Sequence, residues 1–370
     1  MERMEHTTTN KEFNQALTPG KPGKPVKPAE TLLSIEDLHV SFHTYAGEVR
    51  AVRGVTYSVE QGGSLAVVGE SGCGKTVTVQ TVMGLTPIPP GHIKGGKVIF
   101  NGQDLLQLSE KQMQSIRGKD MGMIFQDPMT GLNPTMTVGR QIAETVQRHQ
   151  NVSRGEAMER AVEMLSLVEI PNPRVRANQY PHQFSGGMRQ RAMIAMALAC
   201  EPLLLIADEP TTSLDVTIQS QILDLLQNLQ ERLGMTILLI SHNLGVVARL
   251  SKSIVVMYAG KVVETGSSSD IFYNAAHPYT RALLRSVPRM DREIRGELAS
   301  IPGTPPDLFQ PPEGCAFAPR CKYAMKVCTK CDAQPIKLGD NHYVSCWLHH
   351  EANPNNPFEN KSENGGRNSD

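Results

Sequence analysis

The stretch with the most chemical capacity is Gly69-Glu70-Ser71-Gly72-Cys73-Gly74-Lys75-Thr76. Its three glycines remove Cβ atoms, so successive backbone N–H groups can wrap around an anion. A lysine and a hydroxyl follow at once, offering a cation for phosphate oxygens and a hard oxygen ligand for a divalent metal. The spacing fits G-x-x-x-x-G-K-[ST]. It predicts a nucleotide held by residues 69–76, with Lys75 on the β- and γ-phosphates and Thr76 on Mg²⁺.

Other candidates could serve such a site. Leu203-Leu-Leu-Ile-Ala runs into Asp208 and Glu209. Asp208 suits Mg²⁺, and Glu209 suits polarising a water for attack on the γ-phosphate. Gln126 closes the apolar run Met121-Gly-Met-Ile-Phe, where it could reach Mg²⁺ or the attacking water. His242 follows Met235-Thr-Ile-Leu-Leu-Ile-Ser, where it could contact the γ-phosphate. Ser185-Gly186-Gly187 opens an Ala- and Met-rich helix; Ser185 is a good N-cap, and the glycines leave the first N–H groups open. That is a second anion site without a client in its own chain, which points to a phosphate on a second copy. Tyr45, or His43 beside it, could stack on an adenine.

The elements that must position these residues are legible too. Ser64–Val68 is a short β-branched strand entering the glycine loop, and the segment from Thr76 to Met83 can continue as a helix. Before it, Leu33–Phe42, Val49–Val52 and Gly54–Val59 look like antiparallel strands. Gly96–Phe100 ends in the hairpin signal Asn101-Gly102. Leu203–Asp208 and Met235–Ile240 have the continuous apolar texture of buried parallel strands, which deliver ligands at their C-terminal ends. Val138–His149 and Arg154–Val168 show helical spacing, as an insert between two halves of an α/β core. Ser253–Met257 and Gly260–Glu264 read as an edge hairpin closing that core, and beyond Asp270 the sequence turns Pro-rich and loop-rich.

Composition bounds the rest. Lys plus Arg and Asp plus Glu both number 37 in 370 residues, so no net field draws in nucleic acid. No apolar run approaches the roughly 20 residues that span a bilayer, and the first residues lack a signal-peptide core, so a cytosolic chain is expected. Residues 1–30 and 353–370 read as disordered tails. Five of the seven cysteines crowd as Cys315-x₅-Cys321-x₆-Cys328-x₂-Cys331 and then Cys346. Their softness and number suit an iron–sulfur cluster or a structural zinc, and spacing alone leaves Cys331 open as a ligand.

Taken in order, these motifs resemble an ABC-transporter ATPase subunit from about residue 32 to 270. The Walker A loop, Gln126 of the Q-loop, the signature Phe184-Ser-Gly-Gly-Met188, the Walker B strand with Glu209, Asp215 of the D-loop and the His242 switch follow in the family's sequence. The signature departs slightly, with Phe184 for Leu and Met188 for Gln. Phe125-Gln-Asp-Pro-Met-Thr-Gly-Leu-Asn-Pro134 and His277-Pro-Tyr-Thr-Arg-Ala-Leu-Leu284 are similar to the oligopeptide/dipeptide import branch. The resemblance implies an α/β P-loop core, a RecA-like sheet plus an antiparallel β subdomain. It implies a nucleotide-binding domain over 31–270, with a helical subdomain at about 132–190, and a Cys-rich extension over 271–352. It further implies ATP and Mg²⁺ bound by Gly69–Thr76, Gln126, Asp208, Ser185, Gly186, Gly187 and Asp215, with Glu209 as general base and His242 steadying water and phosphate. A [4Fe–4S] cluster on Cys315, Cys321, Cys328 and Cys346 is implied as well. The expected partners are a second, different ATPase closing head to tail, two membrane permeases, and through them an extracytoplasmic peptide-binding protein, all at the cytoplasmic face of the membrane. Import of nickel, glutathione or another small solute is the alternative within the family, and a soluble non-transport ABC ATPase is the remote one.

Overall fold

The computed structural model describes residues 30–212, 214–286, 301–353 and 356–358; the expected tails lie almost wholly outside these. Along the chain run strands β1 (Thr31–Thr44), β2 (Gly47–Glu60), β3 (Ser64–Val68), β4 (Gly91–Phe100), β5 (Gln103–Asp104), β6 (Met121–Ile124), β7 (Leu204–Asp208), β8 (Thr236–Ser241), β9 (Ser253–Tyr258), β10 (Lys261–Ser267), β11 (Ile336–Lys337) and β12 (Tyr343–Val344). The helices are α1 (Lys75–Val82), α2 (Glu110–Ile116), α3 (Pro128–Gly131), α4 (Val138–His149), α5 (Arg154–Leu167), α6 (Pro173–Arg176), α7 (Gly186–Ala197), α8 (Val216–Leu233), α9 (Leu244–Leu250), α10 (Ser268–Tyr273) and α11 (Pro278–Arg285).

Two sheets organise them. A small antiparallel sheet has the order β2-β1-β4-β5, and a larger mixed one the order β11-β12-β10-β9-β3-β8-β7-β6. Within the second, β6, β7, β8, β3 and β9 are mutually parallel. Strands β3, β6, β7 and β8 are buried along their whole length. Side chains on these strands alternate between faces. Ala66, Val68, Leu205, Ala207, Ile237 and Leu239 enter the core shared with α4, α5, α7 and α8. Leu65, Val67, Leu204, Ile206, Leu238 and Ile240 enter a second core, shared with β1 and β2. A sheet covered on both faces needs apolar residues at every position, which is why these strands read as unbroken apolar runs.

Local signals account for the helices that matter here. Helix α5 opens on a capping box, with Ser153 N–H donating to Glu156 Oε2 at 2.7 Å and Glu156 N–H to Ser153 Oγ at 3.3 Å. Asp215 caps α8 by accepting from Ile218 N–H at 3.0 Å, and Gly234 ends it in the left-handed region.

Three expectations are corrected. Val49–Val52 and Gly54–Val59 form one strand, β2, because Gly54 at φ +80° carries the chain through without a break. The β9–β10 hairpin is not an edge. β9 lies parallel to β3, and β10 is covered by β12, with Glu264 opposite Val344. Ile254–Tyr258 are all buried, as an interior strand requires. Around and beyond Asp270 the chain first forms α10 and α11; in α11 Pro278 takes the first helical position and His277 Nδ1 caps Tyr279 N–H at 3.0 Å. A proline there starts a helix rather than breaking one.

Candidate active site

Four neighbouring parallel strands, β6, β7, β8 and β3, end on the same side, and each hands its next residues to one place. After β3 the chain turns through the glycine loop. A Cβ on Gly69 would stand 2.2 Å from the Met257 carbonyl oxygen, and one on Gly74 2.4 Å from that of Ala51, so neither position admits a side chain. Ser71 and Gly72 are exposed, while Cys73 is buried and its thiol pushed up by that burial. Lys75 Nζ is buried and donates to the carbonyls of Gly69 (2.8 Å) and Glu70 (3.0 Å), closing the loop on itself.

Across the sheet, Thr76 Oγ1 donates to Asp208 Oδ1 at 3.2 Å. Asp208 is buried, which pushes its carboxyl up to about 6; the bond from Thr76 opposes that shift and the charge of Glu209 adds to it. A buried carboxylate beside a hydroxyl, its charge only partly offset by Lys75, is a donor set that fits a hard divalent cation.

Glu209 gathers the remaining groups. Its N–H donates to Ile240 O at 2.9 Å, and its φ of +47° places a non-glycine residue in a sparsely populated region, a form of strain concentrated at functional sites. Oε2 accepts from Gln126 Nε2 at 3.0 Å and from Thr212 Oγ1 at 2.9 Å, and Oε1 lies 3.0 Å from His242 Nδ1. Burial works against its charge, but the bonds from His242 and Thr212 outweigh it and hold the carboxyl below its ordinary value. With Glu209 ionised, His242 Nδ1 carries the proton and donates. The structure thus brings Gln126, Glu209 and His242 into one network, with Gln126 engaged by Glu209 rather than by Thr76 or Asp208.

Ser185, Gly186 and Asp215 are exposed, and among the described residues no hydrogen bond joins Ser185–Gly187 to the glycine loop. Ser185 Oγ caps α7 by accepting from Met188 N–H at 3.3 Å. A Cβ on Gly187 would stand 2.9 Å from Ile218 Cγ2, so this corner and the start of α8 form one surface. Tyr45 is wholly exposed, and His43 meets His92 edge-on at 4.5 Å.

Cys315, Cys321, Cys328 and Cys346 line one small pocket together with His277 and Trp347, while Cys331 is exposed and takes no part in it. Burial, reinforced by the neighbouring thiols, pushes Cys315 up to about 11 and Cys346 to about 12. His277 Nδ1 is taken by Tyr279 N–H, so the neutral ring carries its proton on Nε2, which is buried without a partner. Among the described residues, however, no group of three or more His, Cys, Asp or Glu forms a set that could hold a metal ion. The expected cluster therefore has no support from the side chains as they stand: they line the walls as neutral thiols and do not converge.

Sequence reasoning passed over three groups. Thr212 was within reach as a hydroxyl three residues past Glu209 in a turn. Tyr279 OH accepts from Glu70 N–H at 2.9 Å, and Arg320 pairs with the Glu70 carboxylate at 2.8 Å. Both come from the C-terminal segment; Tyr279 lies in the His277–Leu284 stretch quoted above, but nothing local to either residue names Glu70.

Comparison with known proteins agrees with this geometry. A family model described as ABC transporter matches residues 52–212, and one described as Oligopeptide/dipeptide transporter, C-terminal region, matches 263–328. The oligopeptide transport ATP-binding protein OppD of Bacillus subtilis is 56% identical over 323 residues, which are 87% of this chain and 90% of that protein. The dipeptide transport ATP-binding protein DppD of the same organism is 55% identical over 86% of this chain and 95% of its own length. Among solved structures, the dimeric ATP-binding cassette MJ0796, in a post-hydrolysis state with ADP and Pi, superposes with a TM-score of 0.58 at 25% identity. That match covers 64% of this chain and 98% of the cassette.

Proposed function

Because this chain belongs to the ABC transporter family of ATP-binding proteins, we propose that it binds and hydrolyses ATP to power the import of oligopeptides or dipeptides. The observation that carries the catalytic half is the convergence of Gln126, Thr212 and His242 on Glu209, beside the Thr76–Asp208 pair. In that arrangement Lys75 exchanges its loop carbonyls for phosphate oxygens when nucleotide enters. Glu209, held ionised, takes the proton of the attacking water, while Gln126 and His242 keep carboxylate and water aligned. Mg²⁺ at Thr76 and Asp208, with Gln126 within the same network, would neutralise phosphate charge. Tyr45, free of neighbours, is available to stack on the adenine.

Exposed Ser185, Gly186 and Asp215, with half-buried Gly187 between them, favour a composite site completed by a second ATPase, expected to be a different protein. The dimeric form of the matched cassette is consistent with this. We take residues 31–270 as the nucleotide-binding domain, 132–190 as its helical part facing two permeases, and 271–352 as the extension. Among the described residues no helix is long and apolar enough to cross a membrane, so attachment at its cytoplasmic face would run through those permeases. The extracytoplasmic peptide-binding protein would act through them too. The test is uptake of labelled di- and oligopeptides by cells carrying Glu209→Gln in place of the native residue. Lost uptake supports the reading; intact peptide uptake with lost nickel or glutathione uptake would replace the substrate. Mixing Ser185→Arg with an intact partner should disable the site that holds the partner's nucleotide while leaving binding at its own Lys75.

A second reading concerns the cysteine pocket. The four cysteines of the expected [4Fe–4S] cluster, Cys315, Cys321, Cys328 and Cys346, share one enclosure with an unpartnered His277 N–H, although they form no metal-holding set as they stand. Iron and sulfide analysis after anaerobic purification decides it.

A further inference from the structure

The C-terminal segment grips the phosphate-binding loop. Arg320 lies in a tight turn just before Cys321, and donates from Nη1 to Glu70 Oε2 at 2.8 Å and from Nη2 to Oε1 at 3.1 Å. The guanidinium is itself fixed, with Nε on the Pro302 carbonyl (3.0 Å), Nη2 on that of Ile301 (3.2 Å) and Nη1 on Tyr258 OH (3.1 Å). Its side chain is only 6% exposed. On the other flank, Glu70 N–H donates to Tyr279 OH at 2.9 Å. Tyr279 packs against Tyr258 and Phe317, with ring centroids 4.6 and 5.4 Å away. Glu70 thus has its amide, carbonyl and carboxylate all engaged, the amide and carboxylate by residues 209 and 250 positions along the chain.

A carboxylate in a loop that must receive phosphates is electrostatically misplaced, since its charge opposes that of the ligand. A bidentate arginine neutralises that charge and fixes its direction at once, which a lysine would do less well. We propose that Arg320 is a positioning residue for the nucleotide site. By pairing with Glu70 it removes an opposing charge from the phosphate-binding loop and holds the loop in shape, so that the C-terminal segment sets ATP affinity. The inference rests on the reading of residues 69–76 as a nucleotide site.

The experiment uses the full chain assembled with its second ATPase and permeases, and measures binding of a fluorescent ATP analogue together with KM and kcat. Arg320→Ala should weaken binding and raise KM by about tenfold, with a smaller change in kcat. In a Glu70→Gln background the same substitution should cost less than about threefold, because no carboxylate remains to be neutralised. A purely structural role, through Tyr258, Ile301 and Pro302, would give equal losses in both backgrounds, and that result overturns the proposal. So does an unchanged KM in Arg320→Ala. Should Arg320→Ala not assemble, Arg320→Lys in the two backgrounds supplies the same readout. There a smaller, background-dependent loss supports the proposal, and equal KM values across all four proteins reject it. Lys75→Ala is the control. Unaltered ATP binding in that variant removes the nucleotide site itself, whereas loss of binding there with silent Arg320 variants removes only the clamp.

Discussion

Two places in this molecule gather chemistry-bearing side chains from distant parts of the chain. At the C-terminal ends of β6, β7 and β8 and in the start of α1 after β3, the side chains of Gln126, Glu209, His242, Thr76 and Asp208 stand 3.0–3.2 Å from a partner within the group. In the cysteine pocket, four thiols share a wall without forming a metal-holding set. The difference lies in what carries them. Ladder hydrogen bonds between parallel strands fix each backbone against its neighbours, so a residue one or two positions past a strand end has little freedom. The cysteines sit on or beside single turns such as Ala318–Arg320, Lys326–Thr329 and Trp347–His349, tied by a few bonds such as Cys315 N–H to Cys328 O at 2.8 Å. The first site is preorganised by the fold, and the second would be drawn together by what it holds.

The largest effect expected from this contrast is at Glu209. Glu209→Gln should keep ATP affinity while lowering turnover by about 10²–10⁴-fold, since the amide preserves shape and loses the base. Phosphate release beside an equilibrium binding assay reads both, and parental turnover would remove Glu209 from that role. Lys75→Ala comes next, with nucleotide affinity reduced about tenfold or more, because the β/γ charge is no longer offset; unchanged affinity would break the site at its centre. On the other side of the comparison, Cys315→Ser or Cys346→Ser should abolish iron in anaerobically purified protein while Cys331→Ser leaves it intact. If the parent protein contains neither iron nor zinc, the pocket is apolar packing and nothing more.

The smallest effect is a pH dependence near that pocket. Glu264 is buried and accepts from Ala276 N–H (2.7 Å), His277 N–H (2.9 Å) and His342 Nε2 (2.8 Å). Burial alone would raise its pKa, but these bonds prevail and hold it below the ordinary 4.5. A carboxyl depressed in the folded state stabilises it above about pH 4.5, and that contribution fades as pH falls through the folded value. Glu264→Gln should cost about 2 kcal/mol at neutral pH and flatten the acid limb of a thermal-melting profile. An unaltered limb would mean that this carboxylate does not fasten the C-terminal segment.

Much of the candidate site's layout was legible because its parts are local. The glycine loop, the acidic pair after an apolar strand and the Ser-Gly-Gly helix start each declare themselves within about eight residues, and α4 spans the same Val138–His149 that its periodicity predicts. What escaped is non-local. Nothing near Ile254 says whether its strand is an edge; the answer is its pairing with β3 and the covering of β10 by β12. Nothing near Arg320 names Glu70, which lies 250 positions earlier. Cysteine spacing left Cys331 open beside the other four; the family resemblance named Cys315, Cys321, Cys328 and Cys346, which are the four that share the pocket.

The strand pairing of Tyr343–Val344 with β10 also bears on how the protein is made. Until Tyr343–Val344 have been made, the flank of β10 that they cover has no partner strand and presents an open row of backbone donors and acceptors. His342 arrives 78 residues after the Glu264 it secures, and at about 5–20 residues per second that leaves an interval of several seconds. A message truncated anywhere in that interval would yield a nearly whole cassette with a sticky flank, prone to pairing with a sister chain.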